Sequence, residues 1–238
     1  MFIQPEQGLY AVSADDIGKA SELLAGIYQQ WAPYPPQGRG YNLIRLGMQR
    51  AAYEYKLYQF VTLVLPQYPI DPKGDWKTEA EKMGLTEKLF EDWRETRTGC
   101  ELIVGTWGLY DRQERFMAHL HHIAESGEVT PLSSSGFHAI GSGADNALFW
   151  LSYREQSTGM SVKRSALHVY EAKLMAEHSP HVGRDDIEML IVTPGQWYQL
   201  THKRRTVDGC PVSIDELEEL HRKFGPSSTE SLGSLGGE

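Results

Sequence analysis

The chain has 238 residues, 40% hydrophobic and 11% aromatic, which is enough to bury a core and excludes a disordered polymer. A net charge of −9 argues against a general nucleic-acid binder, which carries a concentrated basic face. No apolar run approaches the ~18 residues of a membrane span, the start MFIQPEQG lacks the basic and apolar regions of a signal peptide, and Cys100 and Cys210 alone make no disulfide framework, so the expectation is a cytoplasmic protein with no membrane or nucleic-acid partner.

Residues 2–3 and 9–12 read as two short strands around a turn at 4–8. Ser13 and Asp16 then resemble a capping box with Asp in place of Glu. Ile17, Ala20, Leu24, Ile27 and Trp31 follow at helical spacing, and Pro33, Pro35 and Pro36 stop the helix. A second helix is predicted over about 41–65, with Ile44, Met48, Ala51, Tyr55 and Tyr58 as its stripe and a 60–65 end apolar nearly all round. Prolines at 66, 69 and 72 and Gly74 make an irregular lead-in to a helix or helix pair at 78–94, whose apolar positions are Met83, Leu89, Phe90 and Trp93.

Residues 101–109 read as a strand, with Leu102, Ile103 and Val104 suited to burial on both faces. Turns at 111–114 and 125–127 bracket another strand at 116–123, giving an antiparallel meander. His119 and His121 share one face of it and His122 the other. A metal site would need a third ligand such as His138 or His178, so a polar sheet face is the simpler expectation, with no metal and no cofactor.

The stretch 137–151, FHAIGSGADNALFWL, reads as strand, glycine corner and helix. Gly141 and Gly143 permit a sharp turn, and the corner presents backbone N–H groups and the Ser142 hydroxyl. A dinucleotide fingerprint would need Gly or Ala where Asn146 stands. A nucleophile elbow, G-x-S-x-G, is absent because Ile140 precedes Gly141, which speaks against a triad of Ser142, Asp145 and His138 or His178. Helices are predicted at 144–156 and 162–177, the second capped by Ser161 with Val162, Ala166, Val169, Tyr170 and Leu174 buried. Strands at 187–192 and 196–202 follow, the basic run 202–205 reads as a solvated loop, and Ser213 caps a short helix at 214–224. The Gly/Ser-rich end is expected to be disordered.

The run AIGSGADNAL, the helix after it, Met160-Ser161-Val162 and the second long helix resemble the C-terminal half of proteasome β-type subunits and of the peptidase subunit of bacterial ATP-dependent proteases, both N-terminal-nucleophile hydrolases. GLYAVSADDIGKASELL fits the strand that leads into the first helix pair of that family. The resemblance spans about residues 2–192 and implies an α+β fold, a four-layer αββα sandwich, with helices 17–31 and 41–65 paired on one side and 144–156 and 162–177 on the other. It implies a proteasome-like domain over 1–198 with an insertion at about 66–99, a C-terminal extension with a short helix at 199–224, and a tail at 225–238.

It also implies a threonine-type peptidase whose nucleophile is the first residue of the mature chain, with the α-amino group as general base. Ser142 matches the auxiliary serine of the glycine corner, and Gly141 and Gly143 would supply backbone donors. Neither Met1 nor Phe2 is a nucleophile, and the family's lysine and aspartate strands find no counterpart. The expectation is therefore a domain lacking its first strands and inactive as written, or a non-catalytic scaffold, the in-frame sequence upstream being the discriminator. Assembly into a homo-oligomer or ring is expected through the 60–65 segment and the aromatics Trp76, Trp93, Trp197 and Tyr198, with peptides or unfolded protein as substrate of an active form.

Overall fold

The computed structural model describes residues 2–4, 9–34, 40–110, 115–132, 135–180, 182, 188–193, 196–201, 205–207 and 210–224. The predicted turns at 4–8 and 111–114 fall largely outside these residues, as do the tail from 225 and most of the basic run. The chain forms two units, Met1–Pro131 and Leu132–Glu238. Both mix helices with antiparallel strands, an α+β architecture, and no helix among the described residues is long and apolar enough to cross a membrane.

In the first unit, β1 (Phe2–Gln4), β2 (Leu9–Asp15), β3 (Cys100–Tyr110), β4 (Arg115–Ile123) and β5 (Val129–Pro131) form one sheet in chain order. Every pairing in it is antiparallel. Helices α1 (Ile17–Trp31) and α2 (Tyr41–Gln59) pack on each other and on this sheet, with Leu23, Ile27, Trp31, Ile44, Met48, Leu102, Val104 and Ile123 in their shared core. Each large apolar side chain buried there contributes roughly 1.5–3 kcal/mol.

Four readings of this unit are corrected. Ser13 does not cap α1, because the chain is still in the ladder there (Ser13 pairs with Leu102, Asp15 with Cys100). Asp16 is the first residue free to do so, and its carboxylate accepts from the N–H groups of Gly18 and Lys19. Ile17 and Tyr58 lie outside the core, at 68% and 57% exposure. Ile103 is only half-buried between the buried Leu102 and Val104, as expected of a sheet covered on one face. The α-helical hydrogen bonding of α2 ends at Gln59, and Phe60–Val64 forms a π turn closed by the Leu65 N–H on the Phe60 carbonyl.

The inserted helices are α3 (Trp76–Met83) and α4 (Thr86–Glu95), separated at Gly84, whose φ of +68° suits glycine. With the π turn they enclose a satellite core of Phe60, Leu65, Ile70, Ala80 and Leu89. Trp76 and Trp93 pack against that core, their rings 5.8 and 5.6 Å from Phe60, so they are not the free surface aromatics expected. Met83 and Phe90 are the exposed ones.

In the second unit, α5 (Ala144–Tyr153) and α6 (Val162–Ala176) pack on each other, and α7 (Ile214–Phe224) packs on α6. The hairpins β6 (Met189–Thr193) with β7 (Gln196–Leu200), and β8 (Arg205–Val207) with β9 (Cys210–Val212), complete it. Ser161 caps α6 and the Ser213 hydroxyl accepts from Glu216 N–H, both as predicted. Val169 lies off the buried stripe at 46% exposure. The Met189 and Leu200 side chains join Leu167, Tyr170 and Leu217 in the core between α6 and α7.

Candidate functional site

Residues 137–140 are not a strand. They lie between Gly136 and Gly141, both with positive φ (71° and 87°), and no strand among the described residues pairs with them. Phe137 and Ala139 pack against the cluster of Ala147, Trp150, Leu151, Ala172 and Ala176. The corner then closes by a turn, Ala144 N–H to the Gly141 carbonyl, and Gly143 opens α5. A Cβ on Gly143 would fall 2.6 Å from the Ala176 Cβ and 3.0 Å from its carbonyl oxygen. The glycine therefore lets the start of α5 abut the end of α6, and Asn146 clasps the same junction by donating to the Ser179 hydroxyl at 2.8 Å. Gly143→Ala is expected to destabilise this unit by about 1–3 kcal/mol, read by urea unfolding. An unchanged midpoint would show that α6 yields freely.

Ser142 stands exposed at the corner, and Asp145 and His178 are exposed as well. The corner thus offers an accessible hydroxyl, not an enclosed triad. Asp145 lies in the first turn of α5, where a carboxylate complements the helix dipole.

The dense polar chemistry of this unit is centred on Glu171, which sequence reading did not single out. Its carboxylate is fully buried. Arg154 grips both oxygens, with Nε on Oε2 and Nη2 on Oε1 at 2.8 Å each. Trp150 Nε1 donates to Oε2 at 3.1 Å, and His221 Nδ1 lies 3.1 Å from Oε1. Arg154 also reaches the Phe224 carbonyl and lies over the Trp150 ring. Four contacts from these three residues match the roughly four lone-pair sites of a carboxylate. The cluster is a clamp joining α5, α6 and α7. Beside it, buried His168 bonds Gln156 through Nδ1 at 2.8 Å. Burial, with Arg164 and Arg154 nearby, pushes its pKa down to about 4. The available signal was His168 and Glu171 three apart on a helix whose neighbours Leu167 and Tyr170 are core residues.

In the first unit His119 and His121 are buried beneath α2, not on a solvated sheet face. His122 lies on the opposite face, 2.7 Å from Glu101. Among the described residues no group of three or more His, Cys, Asp or Glu could hold a metal. Burial, then His119 and Arg45, push the His121 pKa down to about 4. Cys100 is a free, buried thiol pushed up to about 11 by its desolvation, unsuited to act as a nucleophile. A cavity of about 480 Å³ opens between the π turn, α3 and α4, walled by Tyr53, Phe60, Trp76, Leu89, Phe90 and Trp93.

No family model matches the chain, and no curated protein matches it. Among solved structures it is similar to eukaryotic HslV from Trypanosoma brucei, with a TM-score of 0.40 and 14% identity over 71% of this chain and 67% of that chain.

Proposed function

We propose that the chain is a proteasome-like subunit of the N-terminal-nucleophile type, a four-layer αββα sandwich in which Ser142 holds the auxiliary position and Gly141 and Gly143 supply backbone donors. The observation that supports this reading is the succession of elements. Strand hairpin, helix pair α1–α2, antiparallel meander, Gly141-Ser142-Gly143 corner, helix pair α5–α6 and hairpin β6–β7 follow in the order that the sequence resemblance implies. Self-association through the helices belongs to the same proposal, and its support is exposed apolar surface: Phe149 and Tyr153 stack on α5 at 70% and 66% exposure.

The mechanism of that class needs a hydroxyl or thiol beside a free α-amino group whose pKa lies near neutrality. Ser142 is an internal residue with no free α-amino group beside its hydroxyl, so it can only orient a nucleophile held elsewhere. Ser142→Ala is therefore expected to leave turnover of fluorogenic peptides unchanged and to shift stability by less than about 0.5 kcal/mol. Robust turnover lost in Ser142→Ala would replace this reading with an unrelated serine hydrolase. The second reading, a non-catalytic scaffold, is favoured by the solvent-exposed Ser142. A fluorogenic-peptide assay separates the two, since only the peptidase reading predicts turnover.

A further inference from the structure

The first turn of α2 covers an unusual set of polar atoms. Thr106 and His119 are paired across β3 and β4, and His121 is paired with Val104. All three polar residues are at least 97% buried. Tyr41, the first residue of α2, places its ring 5.1 Å from His119 and stacks on His121 at 5.8 Å. Arg45 follows one turn later. Both ring nitrogens of His121, the Thr106 hydroxyl and the Arg45 Nε are buried without a hydrogen-bond partner. Leaving such groups unmet is strongly unfavourable, and native structures rarely cluster them. The N-cap of the helix above, Gly40, supplies no side-chain acceptor, and a Cβ built there would meet nothing within 4 Å.

The chemistry of the missing partner follows from the donors. Arg45 brings a fixed positive charge, Thr106 and the neutral imidazole each bring a donor, and the α2 terminus brings N–H groups and the positive end of a 19-residue helix. Among the described residues the charged or titratable groups acting on His121 are His119 and Arg45, neither of them a carboxylate. A metal cation is disfavoured by Arg45 and by the lack of a third ligand among the described residues. We propose that His121, Thr106, Arg45 and the first turn of α2 form a binding site for a small oxyanion of phosphate or sulfate size. This site is independent of the peptidase reading, since it lies in a different unit from the Ser142 corner.

The test uses the full chain, with inorganic phosphate as probe. Histidine-ring NMR of the wild type should show saturable shifts of the His121 resonances on phosphate addition, in chloride of matched ionic strength. Thermal unfolding should rise by about 5 °C at a hundredfold excess over Kd, and the rise should fall at least threefold in Arg45→Gln and in His121→Leu. In chloride alone His121→Leu should melt above the wild type, because an unpartnered imidazole has been removed. A sulfate titration that reproduces the shifts assigns the site to oxyanions in general, and a silent one narrows it to phosphate. Unmoved His121 resonances, or an equal thermal rise in wild type and both variants, would overturn the proposal whatever the folding of either variant.

Discussion

Glu171→Ala is expected to destabilise the C-terminal unit by about 3–5 kcal/mol, the range for breaking a buried ion pair by removing one partner. The loss arises from what the substitution strands. Arg154, only 12% exposed at its side chain, keeps its charge but loses both carboxylate contacts, and the Trp150 N–H loses its acceptor. Because α7 is tied to the clamp through His221 and the Phe224 carbonyl, the C-terminal helix should loosen first. Hydrogen exchange should therefore report opening of α7 in Glu171→Ala before global unfolding. Replacing Glu171 and Arg154 together by leucine and methionine should recover much of the loss, since a buried ion pair exchanged for apolar packing is often neutral. A single Glu171→Ala change within 1 kcal/mol of wild type would mean that the clamp is solvated in solution.

Acidification is expected to weaken both units through His121 and His168, each held to a pKa of about 4 against an ordinary 6.5. With the native pKa depressed, the unfolded chain binds more protons than the native one between pH 6.5 and about 4. Stability is therefore full above that window, falls as pH drops through it, and is exhausted of this contribution below it. Between pH 7 and pH 5 each histidine should remove about 2 kcal/mol. Urea unfolding in chloride buffers, free of oxyanions, measures this directly. His168→Leu should flatten the pH dependence of the second unit and leave that of the first unchanged. If the slopes of wild type and variant coincide, His168 is not buried neutral.

What the sequence made legible was periodic structure. Ala20, Leu24, Ile27 and Trp31 announced α1, and all four are core residues. The helices at 76–95, the antiparallel meander and the caps at Ser161 and Ser213 were equally local in origin. Features set by a distant partner were not legible. Ser13 looks like a cap until its pairing with Leu102 is known. The run 137–140 has strand composition but pairs with no strand among the described residues, and its flanking glycines have positive φ. The candidate corner at Gly141-Ser142-Gly143 was found from glycine spacing, yet its closest constraint, the Ala176 Cβ, lies on another helix. Glu171 was missed for a related reason: a lone glutamate beside a helical stripe reads as solvated until Arg154, Trp150 and His221 converge on it.

The π turn at Phe60–Val64 changes what one helix can serve. An extra residue in a single turn advances the angular phase of everything after it by about 100°. Upstream of it, Ile44, Met48, Ala51 and Tyr55 face α1 and the sheet, while Val61 and Val64 within it and Leu65 just after it join the satellite core with α3 and α4. Two cores are thereby threaded on one continuous segment without a break in the chain. Deleting one residue from the turn would restore an even helix and rotate Val61, Val64 and Leu65 away from their partners, so the inserted helices are keyed to a single count of residues.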